Sequence, residues 1–77
     1  MMIAYLEKVE PKQHMLRFYA LRVAPTLFGE WTLIREWGRI GSPGTVRLEW
    51  FDSESQAEAA GRKLGREKER RGYRAIA

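Results

Sequence analysis

Seventy-seven residues, 14 of them Lys or Arg and 10 Asp or Glu, with no cysteine and a formal charge of +4, give a chain the length of one small domain. Such a domain buries only about 60% of its unfolded surface, and without thiols it has no disulfide, no zinc–thiolate site and no cysteine nucleophile. No apolar stretch is long enough to span a bilayer, and the first residues lack a basic leader followed by a long apolar segment, so a cytoplasmic protein without membrane attachment is expected.

The first predicted element is a weakly apolar strand over residues 2–9, closed at Glu10-Pro11, where proline removes a backbone donor. The run from Met15 to Val23 is aromatic and β-branched enough to favour a second strand, ended by Pro25. The loop Pro25-Thr26-Leu27-Phe28-Gly29 carries two large apolar residues and is expected to fold over the core. A third strand, about Glu30 to Ile40, alternates Trp31, Leu33, Arg35, Trp37 and Arg39 on one face with Thr32, Ile34, Glu36, Gly38 and Ile40 on the other. In Ser42-Pro43-Gly44-Thr45 proline precedes glycine as in a type II turn, which predicts positive φ at Gly44 and a hairpin. The fourth strand, Thr45 to Phe51, sets Val46, Leu48 and Trp50 on one face and Arg47, Glu49 and Phe51 on the other, and pairs antiparallel with the third.

Ser53 as a cap, with Gln56 three residues later, predicts a helix from about 54 to 71. Its inner stripe is Ala57, Ala60, Gly61 and Leu64, continued by Lys68 and Arg71. Gly61 and Gly65 each cost about 1 kcal/mol relative to alanine; Gly61 suits close approach to a sheet, whereas Gly65 has no evident reason. Gly72 is placed to end the helix in a left-handed cap, with Tyr73 folding back on the core. Residues 1–77 therefore read as one α+β domain, a small antiparallel sheet of about four strands with one C-terminal helix packed against it.

Charge is unevenly spread. Residues 59–77 carry seven basic and two acidic side chains, a net +5 that leaves −1 for the rest. Arg62, Arg66 and Arg70 recur every four residues as an outward ridge with Lys63 beside it, and Glu58 and Glu67 are spaced to pair with Arg62 and Arg71. A localised cationic end suits a polyanion, and equally a solvated helix end complementing its own dipole.

Catalytic chemistry finds no support. His14, the one histidine, lies in a loop with no pattern supplying an acid partner or a nucleophile, so no catalytic residue is assigned and no enzymatic activity is expected. The carboxylates lack metal-ligand spacing, and neither a metal nor another cofactor is expected. Gly38, Gly41 and Gly44 resemble a phosphate loop only superficially, because the lysine and hydroxyl residue of that loop are missing and a strand follows; they are read as turn-forming. Aromatic and cationic side chains together are more informative, since stacking contributes about 1–3 kcal/mol per base and cations neutralise phosphate. Trp31 and Trp50 are read as core. Trp37 abuts the glycine turn and shares its face with Arg35 and Arg39, and Arg39 either contacts a ligand or braces the turn.

Arg17-Phe18-Tyr19, then Glu36-Trp37-Gly38-Arg39-Ile40-Gly41, then Phe51-Asp52-Ser53 with Ala57, and finally Lys68 and Gly72-Tyr73 resemble in order and spacing the WGR domain, across nearly the whole chain. The chain looks most like the short bacterial proteins that consist of this domain and little else. The resemblance implies a compact antiparallel sheet with a packed helix. In DNA-break-sensing poly(ADP-ribose) polymerases a similar domain binds DNA near a strand end, which implies that Trp37 contacts the backbone or terminal sugar; the signature arginine there serves contacts between domains. The expected function is thus a nucleic-acid-binding module, DNA foremost, using Trp37 and Arg39 with Arg35, Arg47, Arg62, Arg66 and Arg70 as phosphate contacts. The rival is a protein-interaction adaptor anchored on the same Trp37 and Arg39 surface.

Overall fold

A computed structural model describes residues 1–77. Its elements are β1 (Met2–Glu10), a 3₁₀ turn (Pro11–Gln13), β2 (Met15–Pro25), β3 (Trp31–Arg39), β4 (Thr45–Phe51), α1 (Glu54–Arg70) and β5 (Arg74–Ala75). All pairings are antiparallel, in the order β4-β3-β2-β1-β5. The sheet has five strands rather than about four. The fifth is the chain's return after α1, where Leu6 faces Ala75 and Glu7 faces Arg74, and a two-residue strand carries no periodicity that a sequence could display.

One face of the sheet takes the helix. Leu6, Tyr19, Leu21, Val23 and Leu33 form the core with Ala57 of α1. The helix starts as its sequence predicts, with Ser53 Oγ accepting from the Gln56 N–H at 3.2 Å. Gln56 Oε1 accepts in turn from the Asp52 N–H at 3.2 Å, one residue earlier than a capping box requires. At the other end Gly72 adopts φ +98°, and the N–H groups of Gly72 and Tyr73 return to the carbonyls of Glu69 and Lys68, each at 3.1 Å. This Schellman closure reverses the chain and sends Tyr73 back over the sheet. At Gly61 an added Cβ would lie 3.2 Å from Leu33 Cδ1 and 3.4 Å from Ile3 Cγ2, so the small residue does permit the helix to approach.

Four further expectations change in the folded chain. The connection after β2 does not cover the core: Leu27 and Phe28 are 97% and 87% exposed. β2 and β3 run to Pro25 and Trp31, and the short link between them is too brief to reach back. Thr26 braces it instead, its Oγ1 accepting from the Phe28 and Glu30 N–H groups at 3.2 Å. Positive φ falls on Gly41 (+88°) rather than Gly44, with the Ser42 N–H bonded to the Arg39 carbonyl at 3.1 Å. Gly44 is needed for space, because a Cβ there would lie 2.7 Å from the Trp37 carbonyl oxygen and 2.8 Å from Phe18 Cζ. Trp50 is not core but 58% exposed on the sheet face opposite the helix. The two ion pairs, Lys8–Glu10 at 4.0 Å and Arg35–Glu49 at 2.8 Å, belong to the sheet, so neither helical pair predicted from spacing forms.

Candidate functional site

The register of three strands composes the site. Residues directly opposite in antiparallel pairs share a face. Tyr19 faces Trp37 across β2 and β3, and Arg17 faces Arg39 one step along the same face. In the opposite direction come Leu21 and Arg35, with Arg47 beyond Arg35 on β4. Trp37 therefore stands between two cationic rows, Arg17–Arg39 and Arg35–Arg47, on the face that carries the helix.

Each neighbour of the indole has a physical task. Tyr19 stacks on Trp37 with centroids 5.6 Å apart and planes 10° from parallel, and Tyr73 meets Tyr19 edge-on at 6.2 Å. Arg35 lies over both rings, 6.0 Å from the Tyr19 centroid and 5.7 Å from that of Trp37. Its Nε donates to Tyr19 Oη at 2.9 Å and its Nη1 to Glu49 Oε1 at 2.8 Å. Burial alone would lower this guanidinium's pKa, but the bonds to Glu49 and Tyr19 outweigh it and hold the pKa above that of ordinary arginine. Arg35 is thus spent inside the fold, as a clamp on the aromatic stack. Lys68, from the last turn of α1, sits over the Tyr19 ring with Nζ 4.6 Å from its centroid. Burial, reinforced by Arg71 and Arg35, draws its ammonium below the ordinary lysine value.

Beside the stack opens a cleft of about 280 Å³, lined by Trp37, Gly38, Arg39, Arg17, His14 and Tyr73 among others. The half-buried indole is both core and cleft wall, packed against Tyr19 on one side and open to the cavity on another. Arg17 and Arg39 are both exposed, and their side chains make no hydrogen bond or ion pair within the chain. Two like charges set directly opposite are mutually repulsive, and an anion seated between them removes that repulsion. Gly38 and Gly44 serve this wall by letting the 40–44 segment fold close: a Cβ on Gly38 would lie 3.1 Å from Gly44 Cα.

The sequence-derived candidates do not all meet here. Trp37, Arg39, Arg35 and Arg47 share one face, whereas Arg62 and Arg66 line a separate cleft of about 300 Å³ toward β1 and β5, with Ile3, Leu6 and Ala77. Arg70 is exposed at the helix end. Sequence reasoning left out Arg17, His14, Tyr19 and Lys68 as site residues. The alternation of β2 does put Arg17 and Tyr19 on one face, but nothing local says that this face meets Trp37 and Arg39.

No group of three or more potential metal ligands occurs in the structure, and no helix is long and apolar enough to cross a membrane. An uncharacterized protein of Sinorhizobium fredii, y4dW, is 41% identical over 70 residues, which cover 91% of this chain and 34% of that protein. The chain thus spans about a third of the length of the curated relative it matches. No solved structure matches significantly. The WGR domain model matches residues 2–77, from the first strand through the Trp37-Gly38-Arg39 cleft to the returning tail, and the chain belongs to the WGR domain family.

Proposed function

We propose that this domain binds nucleic acid, DNA foremost, in the cleft beside Trp37. The observation that carries the reading is the Arg17–Arg39 pair, two uncompensated guanidinium groups directly across the strands from each other and one step from a stacked indole. Guanidinium groups bind phosphate oxygens in a bidentate fork, and an indole presents a face to a base or sugar. Family membership supports the same reading, since WGR domains of DNA-break-sensing polymerases act near strand ends. Arg47 and Lys68 extend the cationic surface on the same face, while Arg35 acts by holding Trp37 and Tyr19 in place.

The test is a titration of the folded protein with blunt, nicked and single-stranded DNA at several salt concentrations. Each lost phosphate contact reduces the slope of log K against log salt by about 0.9 on duplex DNA. Arg17→Ala and Arg39→Ala are expected to lower affinity on every sequence alike and to reduce that slope. Trp37→Phe is expected to weaken binding while leaving the slope in place. Salt-independent binding, or none at low ionic strength, sinks the proposal.

One observation favours a protein-interaction role at a surface other than the Trp37–Arg39 anchor, the Leu27–Phe28 tip held out at the other end of the β2–β3 hairpin. A partner whose binding is lost in Leu27→Ser/Phe28→Ser but kept in Arg17→Ala would establish that second role.

A further inference from the structure

The sheet has two unequal edges. β5 is a two-residue strand, the short kind of edge that resists further pairing. β4, at the other side, is seven residues long, contains no proline and has no strand beyond it. Its outward alternation leaves Val46, Leu48 and Trp50 55%, 43% and 58% exposed on the face away from the helix. A long, regular, partly apolar edge is the feature that natural sheets ordinarily blunt.

The sequence of β4 is complementary to itself. A two-fold axis perpendicular to the sheet and passing beside Leu48 pairs the strand antiparallel with its own copy. Leu48 then faces Leu48, and Val46 and Trp50 face Trp50 and Val46, all on the open face. On the helix face Arg47 meets Glu49 and Glu49 meets Arg47. Shifting the axis to Arg47 or to Glu49 sets two like charges opposite each other, and shifting it further, to Val46 or Trp50, pairs only three residues of each strand, so charge and overlap together favour the Leu48 register. Glu49 has capacity for the second cation: its Oε1 accepts from Arg35, and its Oε2 has no partner within the chain. We propose that β4 is a self-association edge, through which two copies form a symmetric dimer with one continuous ten-stranded sheet.

Such an interface is isologous, the commonest closed arrangement. Because the axis is perpendicular to the sheet, both helices and both Trp37 clefts lie on one face, about 25 Å apart by strand spacing and rise. If the clefts bind nucleic acid as proposed above, the dimer presents two of them side by side; the pairing itself does not depend on that reading.

The experiment is sedimentation equilibrium or light scattering, without nucleic acid, over a series from micromolar to millimolar protein. Wild type is expected to show a reversible monomer–dimer equilibrium. Leu48→Lys, which puts two ammonium groups at the axis, and Arg47→Glu, which puts carboxylates opposite one another, are each expected to lower the association constant tenfold or more. Arg17→Glu, two strands away, should leave it unchanged. Glu49→Arg alone should also fail to self-associate, while an equimolar mixture of Arg47→Glu and Glu49→Arg restores a heterodimer, since every opposed pair is again of opposite sign. Circular dichroism establishes that each variant is folded, and if Glu49→Arg is not, Leu48→Lys alone decides. A wild type that stays monomeric at millimolar concentration, or a dimer indifferent to Leu48→Lys, overturns the inference.

Discussion

Arg35 lies over two aromatic rings and holds a carboxylate and a phenol at once, so it is more valuable to the fold than to any ligand. Removing it strands Glu49 and loosens the Tyr19–Trp37 stack; Arg35→Ala should reduce unfolding free energy by about 1–3 kcal/mol, read by denaturant titration. Arg35→Lys should recover little, because a single ammonium cannot serve both acceptors in the same plane. Lys68 behaves differently. Its folded-state pKa is lowered by burial and by Arg71 and Arg35, so between the folded and unfolded values the unfolded chain binds more protons, and this residue's contribution to stability rises with pH through that window. Tyr5 opposes it, because burial and Glu7 raise its pKa, and the stability it supplies is lost as pH climbs past the ordinary tyrosine value. Anion binding favours the protonated lysine. Affinity for DNA should therefore decline at alkaline pH before an ordinary lysine would titrate, near about 10.4, and Lys68→Arg should abolish that decline.

At the scale of elements, the two helical glycines separate cleanly. Both are buried in α1, yet only Gly61 has neighbours close enough to need it. A Cβ on Gly65 would meet nothing nearer than Leu21 Cδ1 at 3.9 Å, an ordinary contact. Gly65→Ala should raise stability by about 0.5–1 kcal/mol through helix propensity. Gly61→Ala should gain less or lose stability, because its Cβ must displace Leu33 and Ile3; melting curves of the two variants give the comparison. The 40–44 segment follows the same steric logic with greater force. Gly44 is walled by backbone and ring atoms closer than 3.0 Å to any added Cβ, so its glycine sets how tightly the turn folds over Phe18.

The whole molecule is long and thin, 46 × 23 × 16 Å, with 11 of its 77 residues buried. A core of that size leaves a narrow stability margin, which makes the placement of surface charge consequential. Positive charge is divided between two surfaces rather than gathered on one: Arg62 and Arg66 look toward β1 and β5, and Arg17 and Arg39 flank Trp37. The two can be separated by reversal. Arg17→Glu/Arg39→Glu is expected to lower DNA affinity at least tenfold at low salt, whereas Arg62→Glu/Arg66→Glu should cost only the general loss that follows a change in net charge. Equal losses from both pairs would move the interface to the helix.

Strands 1 to 4, the helix, its Ser53 cap and its Gly72 closure were legible in the chain because each rests on neighbours a few residues apart: alternation, a stopping proline, a capping hydroxyl, a glycine at a left-handed position. The sequence also marked Trp37 and Arg39 as a pair on one face by parity alone. Tertiary structure decided what that pair would meet. The antiparallel register brings Arg17 to Arg39 and Tyr19 to Trp37, the helix end carries Lys68 over the same ring, and the packing of α1 turns Arg62 and Arg66 away. These juxtapositions depend on how separate elements dock, and docking is set by side-chain volume and backbone pairing over long chain separations, to which local spacing is blind.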